Sequence, residues 1–228
     1  MTSNTGLVSE YALFKDCVHN PRYLDSNLST LNLSFIRDPA AAPDTTDSKV
    51  VDHSSNSLEV NQRKAVRLFY MVWSGLTKCM RNIVQHQKKA IEISNFAIFG
   101  PIADSNQGRD PLDKGYGGQQ ARQAKALGIS PVFVVINDDF LNQMNWEVAL
   151  DQSSEKAVGR FNKLDKAEVN DLFKNRISPL AVSSIASVAL TDSATVELII
   201  KEIVTSIGEL ARQGRGLRLN FKVGYLII

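Results

Sequence analysis

The sequence predicts an α+β protein in which one supersecondary unit is used twice, and three observations carry that prediction. A helix-period stretch from Val66 to Val84 leads through a basic turn, Gln85-His86-Gln87-Lys88-Lys89, into an extended run from Ala90 to Gly100. The same order returns with Val196 to Ala211, Arg212-Gln213-Gly214-Arg215-Gly216, and Leu217 to Ile228. The first extended run is itself a hairpin pattern: Ile91-Glu92-Ile93 alternates, Ser94-Asn95 turns the chain, and Phe96-Ala97-Ile98-Phe99 alternates again. A unit that recurs on this scale sets the architecture before any single residue does.

The elements follow in chain order. Leu7, Val8, Tyr11, Ala12, Phe14, Cys17 and Val18 have helical spacing, and Asn20-Pro21 stops that helix. Residues 21–57 change character, with Pro39, Pro43, an alanine run and the Ser54-Ser55-Asn56-Ser57 cluster, and read as a linker or extended insertion. Leu28, Leu31, Leu33 and Phe35 are its apolar anchors, suited to lie in a neighbour's groove; the alternative is that the stretch packs back on the first module as a decorated loop. Val66, Phe69, Tyr70, Trp73, Leu76, Met80, Ile83 and Val84 then recur at three- and four-residue steps, the clearest helix of the chain.

After the hairpin, 103–130 is a Gly- and Gln-rich excursion, expected to project as an arm that is mobile or ordered by a partner. Pro131 to Ile136 returns as a strand, and Asn137-Asp138-Asp139 caps a helix carrying Phe140 and Leu141. A polar connector and a short helical stretch, Asp165 to Phe173, end at Ile177-Ser178-Pro179. Val182 to Ala189 makes a small helix, and Thr191-Asp192-Ser193 caps the second long one. The domain layout is then 1–20 as the N-terminal helix, 21–57 as linker and 58–150 as the first domain. The connector is 151–176, and 177–228 holds the N-terminal half of a second domain. An apolar strand ending on Leu226-Ile227-Ile228 is an aggregation hazard if bare, so further residues or another chain are expected to complete that sheet.

Composition fits this picture. Apolar residues at 43% and charged residues at 22% are ordinary for a globular fold. No apolar run approaches the roughly 20 residues needed to span a bilayer. Met1 to Thr5 lacks the flank and core of a secretory signal, and two cysteines suit a reducing compartment, so a cytoplasmic site is expected. The net charge of +2 permits nucleic-acid binding without arguing for it.

The order small helix, long helix, basic turn, hairpin, long arm and return strand resembles the HU and integration-host-factor fold. The segment Ile91 to Phe99 is similar to that family's strand–turn–strand, with Asn95 and Ala97 where glycine is usual. The second copy keeps one glycine in Val223-Gly224-Tyr225-Leu226 and stops before an arm. Two tandem modules resemble the eukaryotic HU-like family typified by coiled-coil domain-containing protein 81, whose members are associated with cilia and centrosomes. The resemblance implies a structural protein of the axoneme or basal body, with tubulin or other microtubule-associated proteins as partners. It also implies that HU-like modules pair, here within the chain or with another such protein.

The alternative is an architectural DNA-binding protein. DNA-binding arms of this fold carry dense cations and an apolar wedge. The excursion has Arg109, Lys114, Arg122 and Lys125 against Asp104, Asp110 and Asp113, a net of +1. That charge falls well short of the roughly six to ten phosphate contacts that give such proteins their affinity, which disfavours nucleic acid.

No enzyme is expected. His19, His53 and His86 lack ligand spacing, the thiols of Cys17 and Cys79 lie on apolar helix faces, and Gly115-Tyr116-Gly117-Gly118 lacks the lysine of a phosphate loop. No catalytic triad or paired carboxylates appear, and no cofactor or metal is called for. The residues with partner-binding interest are Lys78, Arg81, Lys88 and Lys89 near the first long helix's end, the four arm cations, and the four linker anchors. Cations at a helix C-terminus also follow from the helix dipole alone.

Overall fold

A computed structural model describes residues 7–20, 33, 36, 53–101, 132–143 and 177–227, except for the side chains of 53–58, Phe133, Asp138 and Gln143. Its elements are α1 (Glu10–His19), α2 (His53–Arg81) with a π-helical turn (Asn82–His86), β1 (Ala90–Ile93) and β2 (Ala97–Pro101). They continue with β3 (Val132–Ile136), α3 (Asp138–Gln143), β4 (Ile177–Ser178), α4 (Val182–Ala189), α5 (Ser193–Arg212), β5 (Arg218–Asn220) and β6 (Tyr225–Ile227). The mixed helix and strand content is that of an α+β protein.

The chain divides into two compact units, and the division cuts across the sequence repeat. One unit holds residues 1–76, 181–219 and 226–228; the other holds 77–180 and 220–225. The first is helical. Ser9 caps α1 by accepting from the Ala12 N–H at 3.3 Å, and Asn20 turns extended ahead of Pro21, as a residue before proline must. Asp192 caps α5 through the Thr195 N–H at 2.8 Å and the Thr195 hydroxyl at 2.7 Å. Both donors face the carboxylate, hydroxyl first in effect, and hold its pKa below the ordinary value.

α4 and α5 meet at 97°, with Leu190 in the left-handed region at the corner, φ 55°. Within this unit Phe14 of α1 sits among Phe69, Tyr70 and Trp73 of α2, at ring separations of 6.4, 6.1 and 6.0 Å. α1 also packs on α5. Val8 forms a parallel bridge with Leu217, donating to Gly216 O at 2.8 Å. Gly75 brings the α2 backbone onto α4: a Cβ there would lie 3.1 Å from the Ile185 Cγ2. Phe69 and Trp73 of α2 and Ile199 and Ile203 of α5 are each under 5% exposed.

The second unit carries a four-stranded sheet in the order β3-β2-β1-β4. The hairpin of β1 and β2 read from sequence forms, with Ile91 opposite Phe99 and Ile93 opposite Ala97, so its loop takes in Phe96 beside Ser94 and Asn95, the latter at φ 58°. β3 pairs antiparallel along β2, and Asn137 caps α3 by accepting from the Asp139 N–H at 2.8 Å. Phe96 lies 4.9 Å from Phe140 in an edge-on pair, and Phe221, from the second copy, lies 4.9 Å from Phe99. All four rings are buried.

Four details differ from the sequence reading. α2 begins at His53, so 53–57 is helix and not linker: a Ser- and Asn-rich stretch is a normal helix entry as well as a loop composition. Ile177-Ser178, read as a helix breaker, is a strand parallel to β1, with Ala90 opposite Ile177. The final run is not one strand. Lys222 turns at φ 58°, and β5 and β6 form a two-stranded sheet. Leu33, expected to lie in a neighbour's groove, is buried in the chain itself at 9% exposure, with Ile36 at 3%. A leucine in an otherwise polar segment gains as much from its own core as from a partner's. Leu28, Leu31, Phe35, the arm 103–130 and the helical stretch Asp165 to Phe173 lie outside the described residues.

Candidate partner-binding surface

The surface is built on the C-terminal part of α2 and the turn that follows it. Lys78, Arg81, Lys88 and Lys89 are all exposed, so the structure brings to one helix end the four cations singled out from sequence. Arg109, Lys114, Arg122 and Lys125 fall outside the described residues. The helix closes by widening into a π turn, in which the Gln87 N–H donates to Asn82 O at 3.0 Å and the Lys89 N–H to Ile83 O at 3.1 Å. Ile83 and Val84 stay buried through that turn, which leaves His86 to Lys89 facing outward. The Arg81 Nε–H donates to the Gln85 amide oxygen at 3.3 Å along the same face.

Lys88 is the unusual residue here. Its φ is 54°, a left-handed conformation that costs a side-chain-bearing residue about 1–2 kcal/mol. The second copy puts glycine at the matching place: α5 ends on Gln213 and then Gly214 at φ 69°, as α2 ends on Gln87 and then Lys88.

Sequence reasoning missed the upstream part of the basic surface. Between Val60 and Ile91 the chain has seven cations (Arg63, Lys64, Arg67, Lys78, Arg81, Lys88, Lys89) and no acid. Reading charge by window across the helix, and not at its end alone, would have found it. Arg63, Arg67, Tyr70, Lys78 and Arg81 are exposed, and Ser74 and Gln85 are half-buried. Their spacing of threes and fours puts them on one face of α2. Glu59 bridges Arg63 at 4.0 Å, an exposed pair of small energetic weight.

Cys17 is buried and Cys79 half-buried, and neither is in a disulfide. The His19 ring nitrogen Nδ1 is 2.7 Å from Lys15 O, a helix-end contact. Among the described residues no group of three or more His, Cys, Asp or Glu is placed to hold a metal ion, and no single helix is long and apolar enough to cross a membrane.

Comparison with known families decides the relationship. Residues 176–228 match the family model for CCDC81 eukaryotic HU domain 2. This segment belongs to the CCDC81-like HU domain family. The matched HU segment contains β4, α4, α5, β5 and β6, so the helix pair and the short hairpin are the family's own elements. Comparisons with curated proteins and with solved structures give no match.

Proposed function

We propose that the chain is a non-enzymatic structural protein of the cilium axoneme or basal body, built from two tandem HU-like modules paired with each other and binding tubulin or other microtubule-associated proteins. The observation that carries this reading is the HU-family match of the second copy, together with the first copy's repetition of its element order. Small helix, long helix, basic turn and hairpin occur in both.

Two side-chain contacts support pairing within the chain. Ile185 of the second copy meets the Gly75 backbone of the first, and Phe221 of the second joins the rings of Phe96 and Phe99 of the first. One small module exposes too much apolar surface to be stable alone, and a second copy on the same chain supplies the cover without a concentration cost. The cilium assignment, with a cytoplasmic and cytoskeletal location, comes from the eukaryotic HU-like family that the sequence resembles. The exposed cations of α2 give that assignment a surface suited to an acidic protein.

The competing reading is an architectural DNA-binding protein, favoured by the fold alone. A salt titration of duplex DNA binding separates the two. The structural reading expects weak binding that vanishes at physiological salt. Sub-micromolar affinity there, with a slope of several released ions, would establish the DNA reading instead. Tagging the protein in ciliated cells tests location: signal along axonemes or basal bodies is expected, and a chromatin pattern would overturn it.

A further inference from the structure

The corner between α4 and α5 carries apolar side chains that the fold leaves in water. Leu190 stands at the apex and is 67% exposed, Val188 on the last turn of α4 is 51% exposed, and Leu198 on the second turn of α5 is 38% exposed. Of the eight large apolar residues exposed among the described residues, three therefore fall between Val188 and Leu198. We propose that this corner, with the solvent face of α4 beside it, docks an amphipathic helix of a partner protein whose apolar stripe is bordered by Lys or Arg. The inference rests on the reading above in taking the partner to be a protein.

The backbone of Leu190 gives the first reason. It sits at φ 55° and ψ 43°, the left-handed region that suits glycine or asparagine. The chain leaving α5 follows that rule, with Gly214 at φ 69°. A leucine kept in a strained backbone while its side chain lies in water points to a contact outside the fold.

The solvent face of α4 gives the second. Ser183, Ser184, Ser187 and Val188 are its exposed residues, and their spacing places them on one side of the helix. None is charged, whereas solvated surfaces normally intersperse Lys, Arg, Glu and Asp. The Ser187 hydroxyl donates to Ser183 O at 3.0 Å, so it is already satisfied within the helix. A face of small neutral residues beside exposed apolar ones is easily desolvated.

Charge at the rim gives the third. From Ala181 to Ile200 the chain has two acids, Asp192 and Glu197, and no cation. Both acids are exposed. Asp192 is accounted for by its cap on Thr195. Glu197 lies past the first turn of α5, where the helix dipole no longer favours an acid.

Together these features choose the occupant. Apolar anchors need an apolar stripe, and acids at the rim need cations on its borders; a basic amphipathic helix presents both. An anionic membrane surface offers the apolar layer but repels the acids. The same corner of a second copy would set Asp192 and Glu197 against like charges.

The test is fluorescence anisotropy of the full chain with a labelled amphipathic peptide of about 15 residues, leucine along one face and lysine along the other. The chain is expected to bind it and to ignore the counterpart with glutamate in place of lysine. Leu190→Gly is expected to weaken binding at least about fivefold while raising the urea midpoint, because glycine relieves the left-handed turn. Glu197→Gln should weaken it about threefold and flatten its salt dependence. Tyr11→Ser, on α1 and similarly exposed at 64%, should leave it within about 1.5-fold.

No binding by the unaltered chain, or equal loss in Tyr11→Ser, would overturn the proposal. A lower urea midpoint for Leu190→Gly would overturn it by showing that the leucine serves the fold. Self-association abolished by Leu190→Gly would overturn it in favour of a second copy, and binding to anionic phospholipid vesicles in favour of a membrane surface. A chain that sediments with doublet microtubules but ignores the peptide would overturn it and leave the structural reading intact. One that binds the peptide through Leu190 but not the doublets would uphold it and overturn that reading.

Discussion

Replacing Gly75 tests how closely the helices of the two copies approach. A Cβ added there would stand 3.1 Å from Ile185 Cγ2, 3.6 Å from Ile185 Cα and 3.7 Å from Ile185 Cβ. Carbon atoms prefer about 3.5–4.0 Å, so the methyl of Gly75→Ala enters by several tenths of an ångström. Ile185 is only 1% exposed and has little room to retreat. Alanine gains about 1 kcal/mol of helix propensity over glycine in a helix interior. Overpacking costs typically about 1–3 kcal/mol, so the net change should be a loss of up to about 2 kcal/mol.

Gly75→Leu adds three more carbons to the same crevice and should cost about 3 kcal/mol. Ile185→Ala alone should cost about 2–5 kcal/mol through its cavity. Combined with Gly75→Ala it removes the clashing methyl and offers the new one space, so the double variant should be better than additive by about 1 kcal/mol. Urea unfolding followed by far-ultraviolet circular dichroism measures all four. Full stabilisation by Gly75→Ala, with an additive double variant, would show that α2 and α4 do not meet here.

Three further outcomes follow from the same structure. Phe221→Ala, at a buried ring 4.9 Å from Phe99, should destabilise by about 3–5 kcal/mol in urea; a loss below about 1 kcal/mol would place the second hairpin outside the aromatic core. Leu190→Gly should stabilise by about 0.5–1 kcal/mol in the same titration, since a 67% exposed leucine in a left-handed turn contributes backbone strain and little burial; destabilisation would show that its side chain is used. The Asp192 carboxylate is held below its ordinary pKa by Thr195. Its contribution is therefore present above the unfolded value of about 3.9 and lost as pH falls through the lower folded value. Asp192→Asn should flatten that part of the acid limb in thermal unfolding, and an unchanged limb would assign it to other carboxylates.

The sequence revealed most where period and turn chemistry agreed. The first hairpin was legible because alternation on both sides of Ser94-Asn95 marks two strands and a turn, though the loop is one residue longer than that pair, and the α5 cap because Asp192 stands three residues before a donor at Thr195. β4 was not legible: two residues before a proline carry no period, and only their position beside β1 makes them a strand. The start of α2 was hidden for the opposite reason, since Ser54, Ser55, Asn56 and Ser57 suit a loop as well as a helix entry. Of the candidate surface, the last-turn lysines and Arg81 were found because a terminal cluster is conspicuous. Arg63 and Arg67 were missed because they lie far from the helix end, Arg63 beside Gln62 and Lys64 and Arg67 singly between Val66 and Leu68, and only the shared helix face joins them.

The central claim is that an HU-derived fold here binds the microtubule cytoskeleton through protein contacts. Cosedimentation of the full chain with purified ciliary doublet microtubules, beside an equal mass of duplex DNA at physiological salt, tests it most directly. The account predicts saturable recovery with the doublets and none with the DNA. Recovery with DNA alone would contradict it.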